Sequence, residues 1–78
     1  MNTEHGHSRY WTTRVEDRTD GCAGVRLHHE SFGRSSDAAE IIFWDATGGF
    51  TIKTLNGDVP VEVIEALITE ARTTIKTQ

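Results

Sequence analysis

Hydrophobic and polar residues alternate with a period of two in the first part of the chain, which predicts β-strands. In residues 9–17 the alternation places Trp11, Thr13 and Val15 on one face, and it resumes in residues 25–32. Aromatic, Thr and Val residues at this spacing are typical of strands with one buried face. Residues 19–24 contain an Asp-Gly pair and a second glycine, so we expect a turn that joins the two strands as a hairpin. Residues 33–37 read as a polar loop.

A second pair of strands is predicted in residues 39–55. The four consecutive apolar residues at 41–44 leave no polar face, so this strand is expected to be central, with both faces covered. A turn at residues 47–49 leads into the returning strand. If the hairpin closes around Thr47 and Gly48, Phe43 opposes Ile52 and Asp45 opposes Phe50. The apolar side chains then divide between the two faces, with Ile41, Phe43, Phe50 and Ile52 on one and Ile42 and Trp44 on the other.

Residues 61–75 have the 3.6-residue period of an amphipathic α-helix. Pro60 suits the first turn, where its missing N–H costs nothing, and either Asp58 or Val59 is the expected N-cap. The predicted apolar stripe consists of Val61, Ile64, Leu67, Ile68, Ala71 and Ile75.

These segments together predict an α+β fold. We expect an antiparallel sheet of three or four strands, in the order ββββα, with the C-terminal amphipathic helix packed on one face. Residues 1–8 are polar and have no hydrophobic period, so a disordered N-terminal tail is expected before a single domain at residues 9–78. A chain of 78 residues is long enough for one domain and not for two.

The composition restricts the classes of function. The formal net charge is −4 and the Lys and Arg residues are scattered, whereas nonspecific nucleic-acid binding needs dense basic charge. A single cysteine permits no internal disulfide, and no apolar run is long enough to span a membrane. Residues 1–8 lack the apolar segment of a signal peptide. We therefore expect a cytoplasmic protein without a membrane partner.

The residue types that most often carry chemistry form no set of three or four metal ligands, although His5 and His7 have a spacing that could share an ion within the expected tail. His28 and His29 are adjacent on a strand and point to opposite faces, so a shared metal ion is not expected. We expect His28 at the surface and His29 at the edge of the core. Cys22 has no neighbouring base in the sequence, and Asp45 is better explained by hydrogen bonds within a turn than by acid–base catalysis. The sequence therefore predicts no catalytic residue, no metal site and no cofactor.

Ile42 and Trp44 are the most informative residues for function. With the helix on the Ile41 face, both lie on the uncovered face of the sheet, where Tyr10 and Leu55 are expected to join them. A surface cluster that contains a tryptophan often marks a binding site. We therefore interpret the chain as a small non-enzymatic protein-interaction domain. It binds a protein partner, or a second copy of itself, through a sheet face or an edge strand, and no small-molecule substrate is evident.

The alternative function is weak binding of single-stranded nucleic acid. Aromatic residues in the first predicted hairpin are available to stack on bases, and arginines fall in the same hairpin, among them Arg9, Arg14, Arg26 and Arg34. The acidic balance of the chain counts against this function. A small enzyme that uses Asp45 with a histidine is a third hypothesis, and it rests on residue identity alone.

Overall fold

The computed structural model describes residues 1–17, 21–44 and 46–75, so Asp45 and part of the turn predicted at residues 19–24 lie outside the described residues. The elements are β1 (Asn2–His5), β2 (Ser8–Asp17), β3 (Cys22–Ser31), β4 (Arg34–Trp44), β5 (Gly49–Thr54) and α1 (Val61–Thr74). The strands form one antiparallel sheet in the order β1-β2-β3-β4-β5. The α+β class, the antiparallel sheet and the C-terminal helix are confirmed, with one strand more than predicted.

The additional strand lies in the segment that was expected to be a disordered tail. Residues Asn2–His5 pair with β2 through a two-residue turn at Gly6 and His7. The amino group of Met1 donates hydrogen bonds to Thr12 of β2 and to Glu70 of α1. Backbone pairing and these polar contacts hold β1 in place. Neither kind of contact requires alternating hydrophobic residues, so the sequence of β1 lacks the pattern that usually indicates a strand.

The first two predicted strands are present as β2 and β3, and they pair with each other. The predicted polar loop at 33–37 is wrong, because Phe32 and Gly33 form the whole turn and β4 begins at Arg34. A β-bulge explains why the pattern is hard to follow here. Leu27 pairs with Ala39 and His28 pairs with Asp37, so Ala38 is an extra residue in β4. Ala38 and Ala39 are consequently both buried, although they are adjacent.

The β4–β5 hairpin has the predicted faces but not the predicted register. Phe43 pairs with Phe50, and Ile41 pairs with Ile52, two residues away from the expected pairing. The error arises because the turn is centred between Ala46 and Thr47, one residue before the expected closure around Thr47 and Gly48. Paired residues end at Trp44 and resume at Gly49, and the amides of Thr47 and Gly48 both donate to the Trp44 carbonyl. A shift of two residues preserves which side chains share a face.

The hydrophobic core lies between α1 and the middle of the sheet. Helix α1 packs against β3 and β4. Leu27 of β3 and Leu67 of α1 are the largest fully buried side chains in the described residues. The other buried members of this core are Tyr10, Val25, Ala38, Ala39, Ile41, Val63, Ala71 and Ile75. The small alanines of β4 let the helix approach the sheet closely.

The position of α1 differs in two respects from the prediction. Pro60 is itself the N-cap residue, in place of Asp58 or Val59, and its carbonyl accepts hydrogen bonds from the amides of Val63 and Ile64. The buried face is also rotated from the predicted stripe, since Val63 is buried whereas Val61 is 66% exposed. The helix packs mainly on β3 and β4, so one side of the apolar stripe remains open to solvent.

None of the helices in the described residues is long and apolar enough to cross a membrane.

Candidate functional site

A shallow apolar groove runs between α1 and β5, and we call it the β5–α1 groove. Phe50 and Ile52 of β5 form one wall, and Ile68, Ala71 and Arg72 of α1 form the other, with Ile41 of β4 beneath them. Ile52 is 48% exposed and Ile68 is 38% exposed, which is unusual for isoleucines beside a core. The groove exists because α1 leaves the helix-side face of β5 uncovered.

Phe50 and Arg72 shape one end of the groove. The Phe50 ring packs against Phe43 with 5.1 Å between centroids. The Arg72 guanidinium lies 5.9 Å from the centroid of Phe50, within the range of a cation–π interaction. Arg72 is also in the last turn of α1, where the helix dipole favours a positive charge. The apolar walls can therefore accept apolar side chains of a partner, and Arg72 can accept an acidic side chain next to them.

The outer edge of β5 has backbone groups without a neighbouring strand in the described sheet, because β5 is the last strand in the order. The Leu55 amide donates to the Ala38 carbonyl at 2.9 Å, so residue 55 points its polar backbone groups toward β4. Backbone direction alternates along a strand of an antiparallel pair. The amides and carbonyls of Phe50, Ile52 and Thr54 therefore point away from β4, toward solvent.

Of the four predicted site residues, Ile42 and Trp44 lie on the sheet face opposite α1, as expected from their strand. We call this the open face. Ile42 is nevertheless only 9% exposed, because its side chain covers Gly24 of β3: a Cβ at position 24 would meet Ile42 Cδ1 at 2.5 Å. Trp44 is 37% exposed, and its indole Nε1 donates to Thr51 Oγ1 at 3.2 Å. Only Trp44 of this pair presents a substantial surface.

The prediction that Tyr10 joins Ile42 and Trp44 on the open face is wrong. Tyr10 is 5% exposed and belongs to the core beneath α1. It pairs with His29 of β3, and their rings stack at 4.8 Å. The adjacent Trp11 occupies the open face instead, since alternation allows only one of the two aromatics to face the core.

Leu55 does not extend the cluster within β5, because it lies one residue beyond the strand and is half-buried there. The structure therefore does not bring the four predicted residues together.

A polar network on the open face was not predicted. Thr13 Oγ1 lies 2.7 Å from His28 Nε2, and His28 Nδ1 lies 2.9 Å from Asp37 Oδ1. Trp11 stacks on the His28 ring at 5.5 Å. The bulge at Ala38 makes the contact with Asp37, because the extra residue reverses the alternation of β4 and turns Asp37 to the open face.

The order of hydroxyl, imidazole and carboxylate is the same as in the catalytic triad of nucleophilic hydrolases. Thr13, His28 and Asp37 lie on β2, β3 and β4, so their side chains connect three neighbouring strands.

Two arginines of the β2–β3 hairpin, Arg14 and Arg26, lie next to carboxylates. Arg26 contacts Glu40 at 2.7 Å, and hydrogen bonding and charge attraction from Glu40 raise the pKa of Arg26. Arg14 contacts Glu16 at 3.0 Å in the same strand. Such pairing neutralises the positive charge that phosphate groups would need.

Arg9 differs from these two arginines because it stacks on an aromatic ring and is farther from its carboxylate. It lies 3.9 Å from Glu30, and its guanidinium is 4.9 Å from the centroid of Trp11. This stacking is a feature of the hairpin that suits a nucleic-acid base.

The other residues considered for chemistry are placed as follows. His29 is half-buried and lies 2.9 Å from Ser8 Oγ, so its ring is held at the edge of the core. Cys22 is half-buried at the start of β3, paired in register with Trp44. Across residues 1–17, 21–44 and 46–75, no three His, Cys, Asp or Glu side chains are grouped so as to hold a metal ion.

The sequence carries some signals for the groove. Ile68 and Ala71 belong to the predicted apolar stripe, and Phe50 and Ile52 are predicted on the helix side of the sheet. The lateral position of α1, which leaves the groove uncovered, has no signal in the sequence. Comparison of the chain with protein-family models, with curated proteins and with solved structures found no match.

Proposed function

We propose that this chain is a non-enzymatic protein-interaction domain that binds an extended protein segment along the edge of β5. The observation that carries the proposal is the exposure of Ile52 and Ile68 beside an edge strand. An added strand takes up the outward backbone groups of β5, and its side chains cover the apolar groove. Strand addition of this kind obtains affinity from backbone hydrogen bonds and specificity from pockets for alternate side chains.

The chemistry of the groove favours a protein over a small polar ligand or a nucleic acid. Its walls are mainly apolar. An apolar side chain on an incoming strand gains roughly 25 cal/mol for each Å² of apolar surface that leaves water. A phosphate backbone would contact Arg72 at one end but would gain little from the apolar walls.

Nucleic-acid binding by the β2–β3 hairpin is the less supported alternative. Arg14 and Arg26 contact Glu16 and Glu40, so a phosphate would have to displace a carboxylate from each. The stack of Arg9 on Trp11 is the feature that favours it. The open face is likewise a weaker protein site than the groove, because Ile42 is covered and Tyr10 lies in the core.

Selection from a random nine-residue peptide library displayed on phage tests the proposal. Immobilised wild-type domain is used at low surface density, with Ile52→Lys as the counter-selection variant. We expect enriched peptides with alternating apolar residues, whose binding is lost on Ile52→Lys, because a lysine there places a charge within the groove. Trp44→Ala is the matched control on the open face and is expected to retain binding.

Two results would contradict the proposal. Peptides that bind Ile52→Lys as well as the wild type, but not Trp44→Ala, would move the site to the open face. If no peptide is enriched and the domain is also monomeric at all concentrations, β5 accepts no strand and the interaction function is wrong. Binding of single-stranded RNA that weakens on Arg26→Ala and with added salt would instead support the alternative.

A further inference from the structure

We infer that the segment that occupies the β5–α1 groove is β5 of a second copy of this chain, in an antiparallel two-fold dimer. This inference rests on the proposed function and names its partner. Three independent properties of the edge are self-complementary: the backbone register, the apolar side chains and the charges on α1. Isologous two-fold interfaces require such self-complementarity.

The backbone of β5 determines the register of the dimer. The residues with outward backbone groups are Phe50, Ile52 and Thr54, and they are symmetric about Ile52. An antiparallel pairing centred on Ile52 opposes Ile52 to its own copy and Phe50 to Thr54 of the second copy. All three outward residues then form hydrogen-bonded pairs.

Neighbouring registers are less favourable. Centring on Thr51 keeps two hydrogen-bonded pairs within β5 and moves the partner of Thr54 beyond the strand. Centring on Lys53 opposes two lysines directly, which is destabilising across a strand pair. The register centred on Ile52 instead places Lys53 opposite Thr51 of the second copy.

The side chains follow from this register. Paired residues on neighbouring strands share a face, so both copies of Ile52 lie on the helix side, between the two helices. Each is 48% exposed in one chain and is covered by the other in the dimer. Ile68 lines the same groove as Ile52, so the apolar surface continues from β5 onto α1.

Charges on the exposed side of α1 repeat the symmetry. Val61, Glu65, Ile68 and Arg72 are spaced four, three and four residues apart, which places them along one side of the helix. A two-fold axis beside Ile68 reverses this order in the second copy. Arg72 of each chain then lies on the same level as Glu65 of the other.

The distance between the helices decides what these charges do. With α1 over β3 and β4 and strands about 4.8 Å apart, the two helix axes are roughly 19 Å apart. Packed helices are about 8–10 Å apart, so the helices do not pack on each other. Extended Arg and Glu side chains reach across the gap, above a floor formed by the two Ile52 side chains.

The size of the edge predicts a weak dimer. Strand β5 has six residues, which gives a paired length of about 20 Å. A standard stable interface buries about 800 Å² on each partner, and a single short strand with one groove buries less. We therefore expect association in the micromolar range.

The experiment is sedimentation equilibrium of the whole chain over roughly a hundredfold range of concentration that brackets micromolar affinities. The wild type is expected to shift from monomer to dimer. Ile52→Lys is expected to weaken the dimer by more than about a hundredfold, because two lysines would meet at the axis. Phe32→Lys is the matched control, since Phe32 is 85% exposed in the β3–β4 turn. The dimer of this variant should have the same dissociation constant as the wild type.

Charge reversal tests the two-fold arrangement separately. Arg72→Glu and Glu65→Arg should each weaken the dimer by roughly three- to fivefold, and the double variant should restore wild-type affinity. Glu62→Arg, also exposed on α1, should leave the affinity unchanged. A dimer that is unaffected by Ile52→Lys, or a double variant as weak as the single ones, would overturn the inferred geometry.

The outcomes separate this inference from the proposed function. A monomer at all concentrations that still captures peptides along β5 overturns the homodimer and leaves the interaction function standing. A monomer that captures no peptide overturns both. Circular dichroism of each variant confirms that a loss of association is not a loss of fold.

Discussion

Replacement of Gly24 by alanine gives the most direct test of the packing described above. Gly24 pairs with Ile42 in the middle of the sheet, and Ile42 lies over it on the open face. A Cβ at position 24 would lie 2.2 Å from the Ile41 carbonyl oxygen and 2.5 Å from Ile42 Cδ1. The side chain of Ile42 can rotate, but the carbonyl belongs to the β4 backbone, so the strands must separate.

The cost can be bounded from these contacts. Overpacking a core usually costs about 1–3 kcal/mol, and displacement of a paired strand places this substitution at about 3 kcal/mol. A domain of this size has a free energy of unfolding of roughly 4–12 kcal/mol. The melting temperature should fall by about 12–24 °C, at roughly 4–8 °C per kcal/mol.

Urea denaturation followed by circular dichroism measures this change. The matched control is Gly49→Ala, because a Cβ there meets only Thr47 Oγ1 at 3.9 Å. We expect the control to change the free energy of unfolding by less than about 1 kcal/mol. The double variant Gly24→Ala/Ile42→Ala relieves the side-chain contact alone and should not recover wild-type stability. If Gly24→Ala costs no more than Gly49→Ala, the close packing of Ile42 over Gly24 is wrong.

Three further substitutions test other parts of the structure. Phe32 has a positive φ of 51° in the two-residue β3–β4 turn. Phe32→Asn gives the Asn-Gly pair that such turns favour and should raise the free energy of unfolding by about 1 kcal/mol in urea titrations. An unchanged midpoint would contradict this conformation. Leu67→Ala should lower the free energy of unfolding by about 2–5 kcal/mol in the same measurement. Ile68→Ala, at the exposed groove, should lower it by under about 1 kcal/mol. Similar values for the two substitutions would mean that α1 is oriented differently. A double-mutant cycle of Arg26→Ala and Glu40→Ala should give a coupling free energy of at most about 1 kcal/mol, because the Arg26 side chain is 39% exposed and solvent screens the pair. This coupling free energy should decrease in 1 M salt. A value that does not change with salt would argue against an ionic contact.

Local patterns predicted the parts of this fold that depend on alternation within one element. The faces of Ile41 to Trp44 could be assigned because side chains on a strand alternate whatever the strand pairs with. The class of the fold followed from the order of the elements and from the amphipathic helix. These predictions needed no knowledge of tertiary contacts.

The incorrect predictions concern features that are determined by tertiary contacts. Tyr10 and Trp11 are adjacent aromatics, and either could face the core; the register with β3 selects Tyr10. The bulge at Ala38 reverses the alternation without a glycine or proline to mark it. The groove depends on where α1 lies across the sheet, over β3 and β4, which is a tertiary contact. The site most suited to binding was therefore the part least accessible to sequence reasoning.

The strand order has a consequence for how the chain folds. Each strand pairs with its neighbour in sequence, so the whole sheet can form through short loop closures, which are fast. Docking of α1 onto β3 and β4 is the long-range step, because the helix follows every strand. Until it docks, Val25, Leu27 and Ile41 face water on an assembled sheet. Helix docking is therefore the event that protects the nascent domain from aggregation.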